Sequence, residues 1–350
     1  MRKGAMAPRA RRRQHAVVTG GAGFVGSHLC AALIRRAMAV TCVDDFSSGE
    51  PANIAQLAGK PGFRLVEADL VKHGALAALR DTDIDVVFLL ASPASPADYL
   101  RRPIETLEVG SAGTVHALDL AQSAGARFVL ASTSEVYGDP QQHPQRADYW
   151  GNVNPVGPRS VYDEAKRFAE ALTAAYRRSR GANTAIARIF NTYGPRMRPR
   201  DGRMIPTFVM EALAGQPLTV AGDGSQTRSV CYVDDVIEGL VALADSTLPG
   251  PVNLGGTAEL TVEQVARDVL RLTGASSGIR FVGLPEDDPQ RRRPDTALAE
   301  RELGWRPRTE WDAGRGRTIQ WLKACDEAHN RAEAVGQAGA SPAGTPAQAS

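Results

Sequence analysis

The stretch Gly20-Gly21-Ala22-Gly23-Phe24-Val25-Gly26 decides the fold. It follows a β-rich run at residues 15–19 and precedes a helical pattern that continues through Leu29 and Leu33. Glycines at positions 20, 23 and 26 allow a tight turn, a close approach of the backbone to a pyrophosphate, and close packing of helix against strand. The N-terminus of the helix would then face the phosphates. We therefore predict a strand–turn–helix unit that binds a dinucleotide through Gly20, Gly23, Phe24, Val25 and Gly26.

An acidic residue ends the next predicted strand. Residues 40–43 lead to Asp44, which follows the glycines by about twenty residues, the spacing expected for a ribose contact. A carboxylate there accepts a hydrogen bond from a ribose 2′-OH and repels a 2′-phosphate, so NAD is favoured over NADP. Asp69, after a third predicted strand at residues 63–66, is either an acceptor for the adenine amino group or a helix cap. We also place Ala91, just after a fourth predicted strand at residues 85–90, in the cofactor site.

A second group of polar residues follows the fifth predicted strand. Residues 128–131 are apolar, and Thr133, Ser134 and Glu135 come where that strand should end. In an open parallel sheet, ligands bind beyond the carboxyl ends of the strands. These three side chains are therefore candidates for contact with a substrate.

A tyrosine and a lysine lie four residues apart in the next predicted helix, at residues 160–178. This spacing places Tyr162 and Lys166 on one face. An ammonium beside a phenol lowers the pKa of the phenol, which would let Tyr162 accept a proton during oxidation of an alcohol. Such pairs are common by chance on helix surfaces, and this one gains meaning from the dinucleotide site upstream.

The alternation of strands and helices predicts an α/β fold. We expect a Rossmann-type, doubly wound parallel sheet with a smaller C-terminal substrate-binding lobe. The predicted divisions are a disordered basic arm at residues 1–14, an NAD-binding domain at 15–190, a mainly substrate-binding lobe at 191–325 that interleaves with it, and a disordered tail at 326–350. Two long predicted helices, at residues 103–124 and 160–178, could pair with their copies in a homodimer.

Composition restricts the class of protein. Apolar content of 43% and charged content of 23% are ordinary for a globular chain. The basic arm could touch nucleic acid or an anionic surface, but a disordered terminus is the preferred interpretation and no nucleic-acid partner is expected. No run approaches the ~20 apolar residues of a membrane span. Four cysteines without a C-x-x-C or a zinc-like spacing favour a reducing cytoplasm and no metal site.

Together these motifs resemble the extended short-chain dehydrogenase/reductase superfamily and, within it, the UDP-glucuronic acid decarboxylase family. The resemblance covers roughly residues 15–323. It is carried by Leu90 to Pro96, Leu130 to Pro140, Asp148 to Gly151 and Asn154 to Lys166, and further by Arg188 to Arg196, Gly224 to Arg228 and Asp287 to Asp295. Gly110 departs from it, because the family usually has Asn there to help hold the catalytic Lys.

The resemblance implies an activity and roles for named residues. It implies NAD-dependent decarboxylation of UDP-glucuronate to UDP-xylose and carbon dioxide through a 4-keto intermediate, with NAD regenerated in each turnover. The implied catalytic residues are Thr133, Ser134, Glu135, Tyr162 and Lys166, of which Tyr162 and Lys166 also contact the cofactor. The implied substrate-binding residues are Tyr99, Asn191, Arg196, Arg228 and Arg292; for arginines in loops, the alternative is a solvated basic surface.

One position separates this activity from its relatives. The related 4,6-dehydratases carry Thr-Asp-Glu where this chain has Thr133-Ser134-Glu135, and their Asp protonates the departing 6-hydroxyl. Ser134 cannot act as that acid, and a uronic acid substrate needs none because it loses carbon dioxide. The alternatives are a nucleotide-sugar 4-epimerase or 4,6-dehydratase, and a silent NAD-binding regulatory protein. A TDP-sugar in place of the UDP-sugar also stays open.

Overall fold

A seven-stranded parallel sheet forms the centre of the protein. The structure is a computed structural model that describes residues 13–284 and 289–338, and for 332–338 the backbone alone. Six strands come from residues 15–189 and one returns later: β1 (His15–Thr19), β2 (Ala39–Asp44), β3 (Phe63–Glu67), β4 (Val86–Leu89), β5 (Arg127–Thr133), β6 (Thr184–Ile189) and β11 (Val252–Leu254). Their order is β11-β6-β5-β4-β1-β2-β3. This confirms the predicted doubly wound α/β fold.

Helices cover the sheet on both faces. The first half of the chain supplies α1 (Phe24–Arg35), α2 (Pro96–Arg101), α3 (Pro103–Glu108), α4 (Thr114–Ser123) and α5 (Ser160–Arg180). Every residue of β5 is buried because β4 and β6 flank it and helices lie on either side. Two apolar clusters, one on each face, make up most of the core.

The second half of the chain builds a smaller lobe beside the sheet. Three small sheets, β10-β7, β12-β9-β14 and β13-β8, lie there. Its strands are β7 (Thr192–Tyr193), β8 (Leu218–Ala221), β9 (Thr227–Ser229), β10 (Cys231–Tyr232), β12 (Glu259–Thr261), β13 (Ile279–Val282) and β14 (Arg291–Arg292). Its helices are α6 (Met204–Leu213), α7 (Val233–Asp245), α8 (Val262–Thr273), α9 (Ala297–Leu303) and α10 (Trp311–Ala338). Because β11 belongs to the central sheet and α7 packs on it, the two predicted regions interleave.

Three segments differ from the sequence-based expectation. The long helix predicted at residues 103–124 is divided into α3 and α4 by a π-helical turn, Val109–Gly113. Pro93 and Pro96 together predict a stiff loop over residues 91–96, whereas Pro96 starts α2, because a proline at the first helical position loses no hydrogen bond and Ser95 caps the helix. The chain after Asp326 is helical as far as Ala338, in keeping with the good helix formers there.

Residues 1–12 of the predicted arm and residues 339–350 of the predicted tail lie outside the described residues. The last two residues of the predicted arm are bonded to the fold. Arg13 Nε donates to Ala37 O at 2.6 Å, and Gln14 O accepts from Ala39 N at 2.7 Å.

Candidate active site

One cavity lies at the carboxyl ends of the sheet strands and extends into the smaller lobe. Its volume is about 750 Å³. Every site residue predicted from the sequence lines it: Gly20, Gly23, Phe24, Val25, Gly26, Asp44, Asp69, Ala91, Tyr99, Thr133, Ser134, Glu135, Tyr162, Lys166, Asn191, Arg196, Arg228 and Arg292. The structure therefore brings all of these residues together around one space.

The glycine-rich turn forms one end of this cavity. Gly20 has φ +69°, and a Cβ on Gly26 would lie 2.1 Å from the Gly20 carbonyl oxygen, so neither position accepts a side chain without movement. The first turn of α1 has no side-chain cap and no acidic residue. Arg196 lines the same cavity, and its buried Nη1 has no hydrogen-bond partner among the described residues. Open helix N–H groups and a buried guanidinium fit the pyrophosphate of a dinucleotide.

Asp44 holds the turn as well as facing the cavity. Its Oδ2 accepts from Ala22 N at 2.8 Å and its Oδ1 from Phe46 N at 2.9 Å. Burial raises the pKa of this carboxyl, while the two backbone donors oppose that shift. Asp69 Oδ1 accepts from Val71 N at 3.0 Å within a turn at residues 70–71, and no helix begins there for it to cap; Asp69 also lines the cavity.

Tyr162 and Lys166 lie next to the end of β5. Lys166 Nζ donates to the Ala131 carbonyl at 3.0 Å and lies 5.8 Å from the centre of the Tyr162 ring. Both side chains are buried. Tyr99, on α2, stacks on Tyr162 with ring centroids 5.3 Å apart and an interplanar angle of 9°. The Tyr–Lys pair thus has a fixed position between a strand end and an aromatic wall.

The expected lowering of the tyrosine pKa is wrong for the ligand-free protein. Burial, followed by the Glu135 charge, raises the pKa of Tyr162 well above its usual value, and a hydrogen bond from Thr133 only partly opposes this. Burial also lowers the pKa of Lys166 to about 8. Desolvation is the largest cause of both pKa shifts because both side chains are buried.

Glu135 is held by two guanidinium groups. Arg292 Nη1 contacts Glu135 Oε1 at 2.7 Å and Arg292 Nη2 donates to Oε2 at 2.9 Å, a bidentate pair. Arg159 Nη2 donates to the same Oε2 at 2.6 Å. Burial raises the pKa of Glu135, but the charges of Arg292 and Arg159 outweigh it and hold the pKa below its usual value. Glu135 is therefore a carboxylate at neutral pH.

The remaining predicted residues complete the wall of the cavity. Ser134 is buried at the start of a short 3₁₀ turn, Ser134–Tyr137, in which Thr133 Oγ1 accepts from Glu135 N at 3.2 Å. Asn191 Oδ1 accepts from Arg292 Nη1 at 3.5 Å. Arg228 lies on β9 and is buried, with Nη1 donating to Thr227 O at 2.9 Å. The arginines of the site are thus part of the fold and not a solvated surface.

The sequence analysis missed two charged residues of this region. Arg159 lines the cavity directly before α5, three positions before Tyr162. Asp163, beside Tyr162, is 6% exposed, and its Oδ1 has no hydrogen-bond partner within the described chain. Burial and the Glu135 charge raise the pKa of Asp163 to about 7. Their nearness to Tyr162 in sequence was the available signal, but the pairing with Glu135 depends on the tertiary fold.

Gly110 lies in the π-helical turn and touches α5. A Cβ on Gly110 would lie 2.7 Å from the Ala165 Cβ and 2.9 Å from the Ala165 carbonyl oxygen. Ala165 stands directly before Lys166 on α5. The space that an Asn side chain at this position would require is therefore filled by Ala165.

The described residues contain neither a membrane-spanning helix nor a metal-binding cluster. Over residues 13–284 and 289–338, no helix has both the length and the apolar character needed to cross a bilayer. Within the same ranges, no group of three or more His, Cys, Asp or Glu side chains is arranged to hold a metal ion. All four cysteines are free thiols, three of them buried.

Comparison with known proteins places this geometry in a family. Residues 16–255 match the NAD dependent epimerase/dehydratase family. The chain is 46% identical over 311 residues to UDP-glucuronic acid decarboxylase 1 of Xenopus tropicalis, covering 89% of this chain and 72% of the relative. The chain belongs to the UDP-glucuronic acid decarboxylases of that family. The decarboxylase 1 of Arabidopsis thaliana is also 46% identical, over 88% of this chain and 70% of its own length.

Solved structures of other family members share the fold of this decarboxylase-family chain. A dTDP-glucose 4,6-dehydratase from Streptomyces venezuelae, solved with NAD, has a TM-score of 0.81 at 30% identity and covers 89% of this chain and 97% of its own. A UDP-glucuronic acid 4-epimerase from Bacillus cereus, solved with UDP-glucuronic acid and NAD, has a TM-score of 0.80 at 28% identity, with 89% and 100% covered. The fold alone thus does not select among the three reactions, and the site must do so.

Proposed function

We propose that the chain decarboxylates UDP-glucuronate to UDP-xylose and carbon dioxide, with NAD as a cofactor that is regenerated in each turnover. The observation that carries this proposal is the group of Glu135, Arg159 and Arg292 in one cavity with Tyr162 and Lys166. Two guanidinium groups beside the proton acceptor suit a sugar that brings its own carboxylate. With Ser134 in place of an acid, the site has no group there to protonate a departing 6-hydroxyl.

Oxidation at the sugar C4 begins with proton removal. Tyr162 accepts the proton of the 4-OH, and Thr133 steadies the phenolate through the hydrogen bond that lowers the pKa of Tyr162. Lys166, anchored on the Ala131 carbonyl, supplies an ammonium near the Tyr162 ring. A bound NAD supplies a reversible hydride acceptor and a positive charge. We assign its binding to the glycine-rich turn, Asp44, Asp69, Ala91, Tyr162 and Lys166, with Asp44 favouring NAD over NADP.

The 4-ketone makes the sugar a β-keto acid. The C5–carboxylate bond breaks, carbon dioxide leaves, and the electron pair enters the enolate formed by C4 and C5. In the ligand-free protein, Arg292 and Arg159 both bind Glu135. Arg292 can therefore bind the substrate carboxylate while Arg159 stays paired with Glu135 and balances its charge. In the ligand-free protein the Arg292 and Arg159 charges hold Glu135 as a carboxylate, which accepts hydrogen bonds. We assign Glu135 the positioning of the ring and of a water that donates the proton to C5.

Substrate binding is assigned to four of the residues that line the cavity. Tyr99 borders the sugar, and Asn191, Arg228 and Arg292 meet the nucleotide diphosphate. Arg196 was expected in this group, yet, after burial, the charges that most affect its pKa are those of Arg35, on α1, and Asp234, on α7. We therefore assign Arg196 to the cofactor pyrophosphate.

The reaction is tested by product analysis. Purified protein is incubated with UDP-glucuronate, and carbon dioxide and the nucleotide sugar are measured together. The proposal expects equal amounts of carbon dioxide and UDP-pentose. Tyr162→Phe, which keeps the ring and removes the acceptor, should lower turnover by about 10²–10⁴-fold while substrate still binds. A Tyr162→Phe protein with normal turnover would assign the base to another residue.

We also propose that two copies pair through the predicted helices. Ile104 and Leu107 on α3 are 63% and 38% exposed, Phe168 on α5 is 50% exposed, and α3 packs against α5. Apolar side chains on neighbouring helices favour burial against a second copy. In light scattering the wild type should have the mass of a dimer, and Ile104→Glu with Phe168→Glu that of a monomer. An unchanged mass in the variant would place the interface elsewhere.

The free thiols fit the reducing cytoplasm, where we expect the protein.

A further inference from the structure

A second buried ion pair lies behind the site. Glu170, on α5, and Arg188, on β6, form a bidentate pair. Arg188 Nε donates to Glu170 Oε1 at 2.9 Å, and Arg188 Nη2 donates to Oε2 at 2.7 Å. The side chains are 13% and 11% exposed. A pair that has lost this much hydration is costly unless its remaining donors and acceptors are satisfied. The other hydrogen-bond partners of Glu170 and Arg188 therefore show which segments the pair connects.

Glu170 joins the catalytic helix to the catalytic strand. Tyr162, Lys166 and Glu170 are four residues apart in turn, so they share one face of α5. Ser132 Oγ donates to Glu170 Oε1 at 2.6 Å, and Ser132 directly precedes Thr133 on β5. With the bond from Lys166 to Ala131, this fixes α5 against β5 at two successive strand positions. The relative placement of Thr133, Tyr162 and Lys166 depends on both contacts.

Arg188 carries the connection to the other side of the site. Its Nη1 donates to Tyr137 Oη at 3.0 Å, and Tyr137 Oη donates to Asn253 Oδ1 at 2.7 Å. Asn253 Nδ2 donates in turn to Gln145 O at 2.9 Å.

The last link reaches the strand that carries Arg292. Gln145 Oε1 accepts from Arg293 N at 2.8 Å, and Gln145 N donates to the Arg293 carbonyl at 2.8 Å. Arg293 directly follows Arg292, which lies on β14. One hydrogen-bonded chain therefore joins the Tyr–Lys helix to the strand that presents Arg292.

We propose that Glu170 and Arg188 are positioning residues of the reaction: the pair fixes α5 against β5, and Glu170 places a carboxylate one helical turn from Lys166 on the same face of α5. This inference rests on the proposed function, since it assigns a task to the Tyr162–Lys166 pair. Burial lowers the pKa of Lys166, and the charge of Glu170 opposes that shift.

The elements packed against α5 carry other charged or titratable groups. On α5 itself and on those elements they include Tyr162, Asp163 and Glu170 on α5, Glu135 after β5, Arg188 on β6, Tyr99 on α2, Glu105 and Glu108 on α3, and His116 and Asp119 on α4. Of these, Glu170 is the group whose charge acts on the Lys166 pKa.

The test separates charge from structure with three variants. Glu170→Gln keeps the shape and removes the charge. The alkaline limb of its kcat profile should move to lower pH, and kcat at pH 8 should fall about tenfold, with KM for UDP-glucuronate nearly unchanged. Glu170→Asp keeps the charge and should restore the alkaline limb. Because Glu170→Gln leaves Arg188 poorly paired and can fail to fold, a third variant, Glu170→Leu with Arg188→Met, replaces both charges and should show the same displaced limb.

A matched control comes from another buried arginine. Arg315 is 5% exposed and pairs with Asp268 and Asp312, away from the cavity. Arg315→Met should lower Tm without moving the pH profile. If the Glu170 variants also show a lower Tm and an unchanged pH profile, the pair is purely structural and the inference is wrong.

A readout without turnover separates this inference from the proposed function. In ligand-free protein labelled with ¹⁵N-lysine, the Lys166 ammonium is titrated by NMR and assigned with Lys166→Met. Its midpoint should be lower in Glu170→Gln than in wild type, whatever substrate the enzyme uses. Equal midpoints would overturn the role of Glu170. Lack of carbon dioxide from UDP-glucuronate in wild type would overturn the proposed function alone.

Discussion

Replacing Gly110 with Asn should disturb the active site through α5. An Asn Cβ would lie 2.7 Å from the Ala165 Cβ, whereas ordinary contact begins at 3.4 Å, so the two must separate by at least 0.7 Å. The second close atom is the Ala165 backbone oxygen, at 2.9 Å, so rotating a side chain gives no relief and α5 itself must move. Ala165 lies between Tyr162 and Lys166 on that helix.

The size of the effect follows from this displacement. Overpacking of this kind destabilises by about 1–3 kcal/mol, and the better helix propensity of Asn offsets less than about 0.5 kcal/mol of it. A shift near 1 Å in catalytic groups can lower a rate by about 10²-fold. We therefore expect kcat on UDP-glucuronate to fall by about 10–100-fold, with a lower urea midpoint.

A second substitution provides the control. Ala165→Gly removes the closest of the atoms that the new side chain of Gly110→Asn would meet and leaves the backbone oxygen and the Cα, so it should recover part of kcat in the double variant. Ala165→Gly alone should cost about 1 kcal/mol in helix propensity and leave kcat near wild type. kcat is measured by UDP-xylose formation and stability by urea unfolding. The reasoning is refuted if Gly110→Asn is as stable and active as wild type, or if adding Ala165→Gly to Gly110→Asn recovers no part of kcat.

Two further predictions concern acidic residues. Asp44→Ala should weaken the binding of NAD more than that of NADP in titrations, because it removes the ribose acceptor and the repulsion of a 2′-phosphate. Equal losses of affinity for NAD and NADP would limit the role of Asp44 to its bonds with Ala22 and Phe46. Asp163→Asn should change the pH dependence of stability. The pKa of Asp163 is raised from 3.8 to about 7, so its contribution is full below the unfolded pKa and is lost as pH rises toward 7. The Asn variant should therefore be more stable than wild type by roughly 1–4 kcal/mol at pH 8, and the difference should shrink toward pH 4. A stability difference that does not vary with pH would show that the pKa of Asp163 is the same in the folded and unfolded states.

Local sequence signals predicted much of the fold. The glycine turn, Asp44 and the shared face of Tyr162 and Lys166 all depend on residues close in the chain, and each lies where the pattern indicated. The π-helical turn did not follow from helical periodicity, because close contact of Gly110 with Ala165 is tertiary. The return of β11 to the central sheet is likewise long-range, with a strand of only three residues.

The electrostatics of the site were less accessible from sequence. Arg292 is 157 positions from Glu135, and no spacing rule links them. The sign of the Tyr162 pKa shift was predicted wrongly because a neighbouring ammonium was visible in sequence and the depth of burial was not.

The most direct test of the central claim is the reaction of wild-type protein with UDP-glucuronate in D₂O, followed by ¹H NMR. We predict UDP-xylose with one deuterium at C5, carbon dioxide in equal amount, and no net accumulation of NADH, because C5 is protonated from solvent after the carboxylate leaves and the cofactor is regenerated. A product that keeps its carboxylate and is inverted at C4 would contradict the account and assign the chain a 4-epimerase reaction on the same fold.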